Sequence, residues 1–321
     1  MTADGSNDGR PGPDGSDAAK AGGGETGDDE VDYYAPETVD TARRRLAEAT
    51  GVTEVVAGGQ TLSLLVRHRL VDADALVDVS GVPALSGVSV TDGTAVVGAT
   101  TTYAGLAAHD LSDRVAMLGD ACEVIADRQV RTLGTVGGAV CHADPAFDVL
   151  APLRCLDADL RIGGVDGERR VPLAEFVRGH MRTDLGDDEL LETVRFDLPG
   201  APSEPPDGWT GSAYEKHAAV EGGWPAVGVA ACVTLANGAF ADVRVGLTAV
   251  ADTTVRSPGV EAALTGEPVA ESAVAAASEA VTGDVDPIDD QSGSAEYKRR
   301  LAPTLVERAL ATAVRRAEGS P

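Results

Sequence analysis

Apolar residues enter this chain in earnest only after residue 30. The first thirty positions are mostly Gly, Asp, Ser and Pro with almost no apolar content, which cannot offset the entropy of ordering, so they predict a disordered acidic tail. From Tyr33 the texture changes. The stretch APETVDTARRRLAEATG has Pro36 and Glu37 near its start, apolar or Ala positions at helical spacing and Gly51 at its end, which predicts a helix. EVVAG follows as a short buried strand that stops on Gly58 and Gly59 within the run VVAGGQTL, and LSLLVRHRL reads as a second helix beginning on that glycine loop. ALVDVS, VSVTDG and TAVVGA have the look of further short strands separated by turn residues.

A helix around residues 103 to 126 is predicted to lead into a second glycine stretch, RTLGTVGGAVCHADPAFD, with Gly134, Gly137 and Gly138. VLAPLRCLDADLRIGG reads as helix then strand. ERRVPLAEFVRG and DDELLETVRFDLP suggest an extended edge, a short helix and a closing strand. Three prolines and a glycine in APSEPPDG, residues 201 to 208, predict a linker. Beyond it lie two β-rich runs separated by the hairpin signal Asn237-Gly238, then two alanine-rich helices near residues 269 to 281 and 294 to 317. No internal repeat of solenoid period is present.

Composition narrows the classes of function. A chain of 321 residues with 43% apolar residues can bury a sizeable core. Its 52 Asp and Glu against 26 Lys and Arg give a net charge of −26, which repels phosphate backbones and argues against nucleic acid as a partner. Lys20, Lys216 and Lys298 are the only lysines. Acid spread along the whole chain with so little lysine points to a protein adapted to concentrated salt, and a halophilic source is expected. There is no 18-residue apolar run and no basic and apolar signal region, so neither a membrane span nor secretion is expected and the cytoplasm is the predicted location. Cys122, Cys141, Cys155 and Cys232 stand far apart without a CxxC pair, which argues against a zinc or iron–sulfur site and predicts mostly small buried residues.

The two glycine stretches are the candidate chemistry. Neither matches GxGxxG or GxxxxGK[ST]. Taken alone, Gly58-Gly59 is a turn after a strand. Two such loops, each flanked by small hydroxyl residues (Thr61; Thr132 and Thr135), could wrap a diphosphate with main-chain donors, which suits a chain so poor in basic side chains.

The order of the pieces carries more. VVAGGQTLSLLVRHRL, ALVDVSGVPALSGV, VVGATTTYAGL, RTLGTVGGAVCHADPAFD, DDELLETVRFD, SAYEKHAAVEGGWPAVGVAA and SAEYKRRLAPTLVERAL, in that order over residues 32 to 317, closely resemble the flavin-binding medium subunit of the molybdenum hydroxylases. This is the family of xanthine dehydrogenase and aerobic carbon monoxide dehydrogenase. The resemblance implies a mixed α/β and α+β fold: a two-subdomain FAD-binding domain of the vanillyl-alcohol oxidase/PCMH-like type, then a carbon monoxide dehydrogenase flavoprotein-like α+β domain. Expected boundaries are residues 31–88 and 89–200 for the two subdomains, 201–208 for the linker and 209–321 for the last domain. It further implies a subunit that takes electrons from [2Fe-2S] clusters and passes them through FAD to an external acceptor. Molybdopterin and the clusters are expected on a large and a small partner subunit, the whole being a dimer of heterotrimers.

Residue by residue, the resemblance makes Val55, Val56, Ala57, Gly58, Gly59, Gln60, Thr61 and Leu62 the first FAD segment, with the two glycines opening toward the pyrophosphate. Thr135, Val136, Gly137, Gly138 and Ala139 form the second; the family usually has Asn or Ser where this chain has Ala139, so a side-chain bond from that position is lost. Ile125 would lie against the cofactor, Asp148 would accept hydrogen bonds from it, and Leu191 and Lys216 would complete the pocket, with Tyr214 near the isoalloxazine. Each residue also has a plainer reading. Asp148 could cap a helix starting at Val149, Lys216 could make a structural ion pair, and Ile125, Leu191 and Tyr214 could be core. His142 and His217 belong to no triad or ligand cluster and read as structural. Two other functions stay open on residues alone: a self-sufficient FAD oxidoreductase, and a flavin-free scaffold.

Overall fold

The computed structural model of the chain describes residues 31–200 and 209–319. The expected acidic tail and the 201–208 linker lie outside the described residues. Three larger sheets, each with its own helices, organise what is described.

The first is a three-stranded parallel sheet with Ala75–Asp78 in the middle, flanked by Asp32–Tyr34 and Thr53–Val56. Helix Val39–Glu48 covers one face. Thr38 caps its start by accepting from the Thr41 amide, and Ala42 and Leu46 seal against Val77, Val79 and Leu85. Strand Thr53–Val56 is left as an open edge. It runs into Gly58-Gly59 and helix Leu62–Arg67.

The second sheet is antiparallel and five-stranded, in the order Val88–Thr91, Thr94–Gly98, Leu190–Asp197, Asp159–Gly164, Gly167–Pro172. Its apolar face, including Val97, Leu160, Ile162 and Val194, joins one core with helices Ala116–Glu123, Val136–His142 and Leu150–Cys155. An ion-pair network ties it to the first sheet's helix. Arg43 reaches Glu168 and the buried Glu192, and Arg161 approaches Glu192 at 3.0 Å.

The third sheet, Trp209–Ala218, Pro225–Ala236, Ala239–Thr248 and Val255–Arg256, is antiparallel and covered on both faces. Strand Pro225–Ala236 shows why it is apolar throughout. Ala231 and Val233 face helix Ala295–Glu318, while Ala230 and Cys232 face the core of the second sheet. Asn237-Gly238 makes the predicted hairpin.

Some expectations need correction. The single helix over 103 to 126 is three short ones, Tyr103–Ala107, Asp110–Arg114 and Ala116–Glu123. His109 and Val115 leave helical geometry between them, His109 accepting from the Leu111 amide as a cap. Strand Asp32–Tyr34 and helices Arg128–Leu133 and Pro258–Leu264 had not been anticipated; each is short, and periodicity over three to seven residues is weak. Cys122, Cys155 and Cys232 are buried as expected, whereas Cys141 is half-buried and borders the cleft described next.

Candidate functional site

Where the three sheets' units meet lies a cleft of about 720 Å³, within the roughly 300–1,000 Å³ usual for ligand sites. Its walls come from the open edge Thr53–Val56 and the loop after it, from the second glycine stretch, and from Lys216 and Gly222–Trp224 of the third unit. Among the described residues, Lys216 is the only lysine or arginine lining it. An anionic ligand must therefore be met chiefly by main-chain N–H groups.

The first glycine stretch supplies them. The amides of Gly58, Gly59, Gln60, Thr61 and Leu62 have no acceptor among the described residues, because the strand has ended and the helix has not yet begun. Gly59 sits at φ +65°, a left-handed conformation that glycine adopts without strain. Gly58 has a different reason to be glycine. A Cβ there would collide with the Leu133 carbonyl oxygen, so the first loop and helix Arg128–Leu133 close on one another at this point.

The second stretch is built the other way. Val136 N–H donates to the Thr101 carbonyl at 3.0 Å, Gly137 to Ala99 at 2.8 Å and Ala139 to Thr135 at 3.1 Å. Gly138 donates to the Thr135 hydroxyl at 3.1 Å, the cap of helix Val136–His142. A Cβ on Gly137 would stand 2.6 Å from both the Ala99 methyl and its carbonyl oxygen. Both glycines line the cleft, Gly138 exposed and Gly137 buried.

At the other end the charged groups form a closed set. Lys216 Nζ donates to Asp148 at 2.8 Å and to the Val124 carbonyl at 3.1 Å, and Tyr214 Oη donates to the second Asp148 oxygen at 2.6 Å. Burial pushes the Asp148 carboxyl above its ordinary value, opposed by the Lys216 charge and the two donated hydrogen bonds. Tyr214 is pushed well above its ordinary value by burial and by the carboxylate beside it. Phe147 stacks on Trp224 with centroids 5.5 Å apart, and His142 tilts against Phe147 at 5.4 Å, its pKa lowered by burial.

Of the eighteen residues expected to touch a cofactor, Val55 through Leu62, Ile125, Thr135, Gly137, Gly138, Ala139, Asp148, Leu191 and Lys216 line this one cleft. Val136 and Tyr214 do not. Val136 is fully buried in the second core, and Tyr214 lies behind Asp148 as its hydrogen-bond donor rather than beside a ligand. The capping reading of Asp148 fails as well: helix Leu150–Cys155 has no side-chain cap, and both carboxylate oxygens are occupied elsewhere. Lys216 does make the ion pair of the plainer reading, inside the cleft wall. His217 bonds Tyr297 at 2.9 Å and does not line the cleft, whereas His142 does. Sequence reasoning missed Phe147, Trp224 and Tyr103. Only four Phe and two Trp occur in the chain, and that scarcity was the available signal.

Residues 29–199 match the family of the FAD binding domain in molybdopterin dehydrogenase, and residues 212–313 match the CO dehydrogenase flavoprotein C-terminal domain. The chain is 32% identical to the 6-hydroxypseudooxynicotine dehydrogenase complex subunit alpha of Paenarthrobacter nicotinovorans, over 89% of this chain and 95% of the relative. It is also 32% identical to the carbon monoxide dehydrogenase medium chain of Hydrogenophaga pseudoflava, over 87% and 95% respectively. The solved carbon monoxide dehydrogenase of that organism superposes with a TM-score of 0.83 at 33% identity, covering 89% of this chain and 98% of the other. Quinoline 2-oxidoreductase from Pseudomonas putida 86 gives 0.82 at 28% identity, covering 90% and 98%. With both parts of its architecture matched, the chain belongs to the family of FAD-binding medium subunits of molybdenum hydroxylases.

Proposed function

We propose that this chain binds FAD in the cleft and serves as the electron-transfer subunit of a heteromeric molybdenum hydroxylase. The observation that carries the reading is the run of five amides, Gly58 to Leu62, without an acceptor among the described residues, in a cleft where Lys216 is the only lysine or arginine among those residues. That is a fit for a pyrophosphate flanked by a flavin: main-chain donors for the phosphates, one fixed cation for a flavin oxygen. The chemistry the bound flavin supplies is redox exchange between partner clusters and an external acceptor. The protein's own residues bind, orient and shield. Asp148 holds Lys216 in place, Tyr214 locks Asp148, and the Phe147–Trp224 stack keeps one wall of the site apolar.

Relatives are named as a complex subunit and as medium chains, which supports partner subunits for this chain: a large one with molybdopterin and a small one with [2Fe-2S] clusters, assembled as a dimer of heterotrimers. A self-sufficient FAD enzyme or a flavin-free scaffold has no comparable support. The three sheets are consistent with units at 31–88, 89–200 and 209–321, joined by the 201–208 linker. None of the helices among the described residues is long and apolar enough to cross a membrane, and a cytoplasmic setting in a salt-rich cell is part of the proposal.

The test is to co-purify the chain with its partners and record flavin absorbance and FAD stoichiometry. One FAD per chain is expected; a colourless complex of the three subunits would reject the reading. Salt supplies a second arm. Screening length grows from about 3 Å at 1 M to about 10 Å at 0.1 M ionic strength, so dilution should lower the Tm of a chain carrying −26. An unchanged Tm would remove the halophilic part alone.

A further inference from the structure

A second cavity, of about 420 Å³, lies between the second and third units and shares no lining residue with the cleft. Arg154, Leu173 and Val177 line it from the second unit, and Thr254, Arg256 and Asp284 from the third. Its volume falls in the roughly 300–1,000 Å³ range of ligand sites. The flavin reading leaves it without a task.

Two of its charged groups are engaged inside the protein. Arg256 donates to Glu261 at 2.6 Å and to Asp157 at 2.7 Å, and Glu261 also accepts from the Val245 amide. Asp284 accepts from the Ser257 hydroxyl at 2.6 Å and from the Gly259 amide at 3.0 Å. Arg154 is different. It sits in the last turn of helix Leu150–Cys155, and the one carboxylate within 4 Å of it among the described residues is Asp157, at 3.7 Å, which is exposed and already held by Arg256. Its side chain is only 23% exposed, yet among the described residues the guanidinium makes no hydrogen bond, and burial pushes its pKa below the ordinary value. A fork of five donors held largely out of water is costly unless a ligand supplies the acceptor.

Thr254 gives the same signal from the third unit. Only 7% of it is exposed, and its hydroxyl has no partner among the described residues. Its oxygen, unlike that of Thr100, keeps some accessible surface, in a residue that lines the cavity. The main-chain N–H groups of Thr253 and Thr254, just before strand Val255–Arg256, have no acceptor among the described residues either. Charge then selects the ligand. Arg256 and Glu261 cancel, so the unspent cation at Arg154 matches a single negative charge, whereas a dianion such as phosphate would also meet Asp157 and Asp284. A carboxylate suits the planar fork of a guanidinium, and Leu173 and Val177 offer apolar surface for a short carbon body.

We propose that this cavity binds a small organic monocarboxylate, its carboxylate held by the Arg154 guanidinium and the Thr254 hydroxyl and its apolar body against Leu173 and Val177, so that the ligand bridges the second and third units. The site does not depend on the cleft holding FAD. The test is calorimetric titration of the full chain at fixed ionic strength with butyrate and, separately, with inorganic phosphate, for wild type, Arg154→Gln and Thr254→Val, with circular dichroism confirming each fold. Wild type should bind a single butyrate with a Kd of about 1 mM, as befits a ligand of so few atoms, and phosphate about tenfold more weakly. Arg154→Gln should weaken butyrate about tenfold through loss of the charge-assisted bond, and Thr254→Val, of nearly the same shape, about fivefold. Butyrate that fails to saturate wild type, or that binds both variants as tightly as wild type, would overturn the site. Phosphate binding more tightly than butyrate would overturn the ligand class.

Discussion

At the first glycine stretch, the N–H groups of Gly58 through Leu62 are unspent; at the second, those of Val136, Gly137, Gly138 and Ala139 all have internal acceptors. In sequence the two look alike: a glycine pair, a nearby threonine, an apolar segment after it. The difference arises in packing. The second stretch is pinned against Ala99 and Thr101 and belongs to the frame, whereas the first dangles from an edge strand and is supported mainly where Gly58 meets Leu133. A glycine can be required by a neighbour inside the protein or by a ligand outside it, and only tertiary structure separates the two.

The largest effect is expected at the frame. Gly137→Val forces side-chain atoms into the Ala99 backbone, which cannot move without disturbing the second sheet, and should cost about 3 kcal/mol or more of stability. Thermal unfolding checks this: an unchanged Tm would show that the second stretch is no more built-in than the first.

Lys216→Met comes next. It leaves Asp148 buried without its counter-charge, at a cost of about 3 kcal/mol near neutral pH. Asp148 is already held above the ordinary 3.8 by burial, and removing the lysine raises it further. The folded state then binds the proton more tightly than the unfolded one, so the variant recovers stability as pH falls through the raised value and loses it as pH rises. The Tm deficit relative to wild type should therefore shrink between neutral and mildly acidic pH. A deficit independent of pH would mean that the cost lies in packing rather than charge.

Smaller still is Gly59→Val. The left-handed backbone costs about 2 kcal/mol in strain, and the added side chain pushes only on Ser63, whose hydroxyl can turn away. The chain should fold, yet lose FAD. Gly238→Val, at a hairpin with open space around it, carries the same left-handed strain of about 2 kcal/mol and should leave FAD stoichiometry unchanged. Equal FAD retention in these two variants would erase the distinction between a ligand loop and a turn.

Much of this was legible beforehand and some of it could not be. Helix Val39–Glu48, the hairpin at Asn237-Gly238 and the long helix Ala295–Glu318 all follow from local signals strong enough to survive tertiary context. Lys216 stood out because lysine is nearly absent, and its pairing with Asp148 buries both. By contrast, nothing local distinguishes Gly137 from Gly59, because the demand on Gly137 comes from Ala99, thirty-eight positions away. Tyr214 was placed at the ligand by its nearness to Lys216, but a β-strand sends neighbouring side chains to opposite faces, and residues two apart share a face at different depths. The Phe147–Trp224 stack joins two units and has no sequence period at all.

Amide hydrogen exchange on the assembled complex, with and without FAD, measures directly whether the two stretches differ as described. Residues 58–62 should exchange fast in the flavin-free complex and become strongly protected when FAD binds, while residues 136–139 should be protected in both states and change little. Protection gained mainly at 136–139, with 58–62 unaffected, would contradict the assignment of the first stretch as the set of main-chain donors that holds the cofactor.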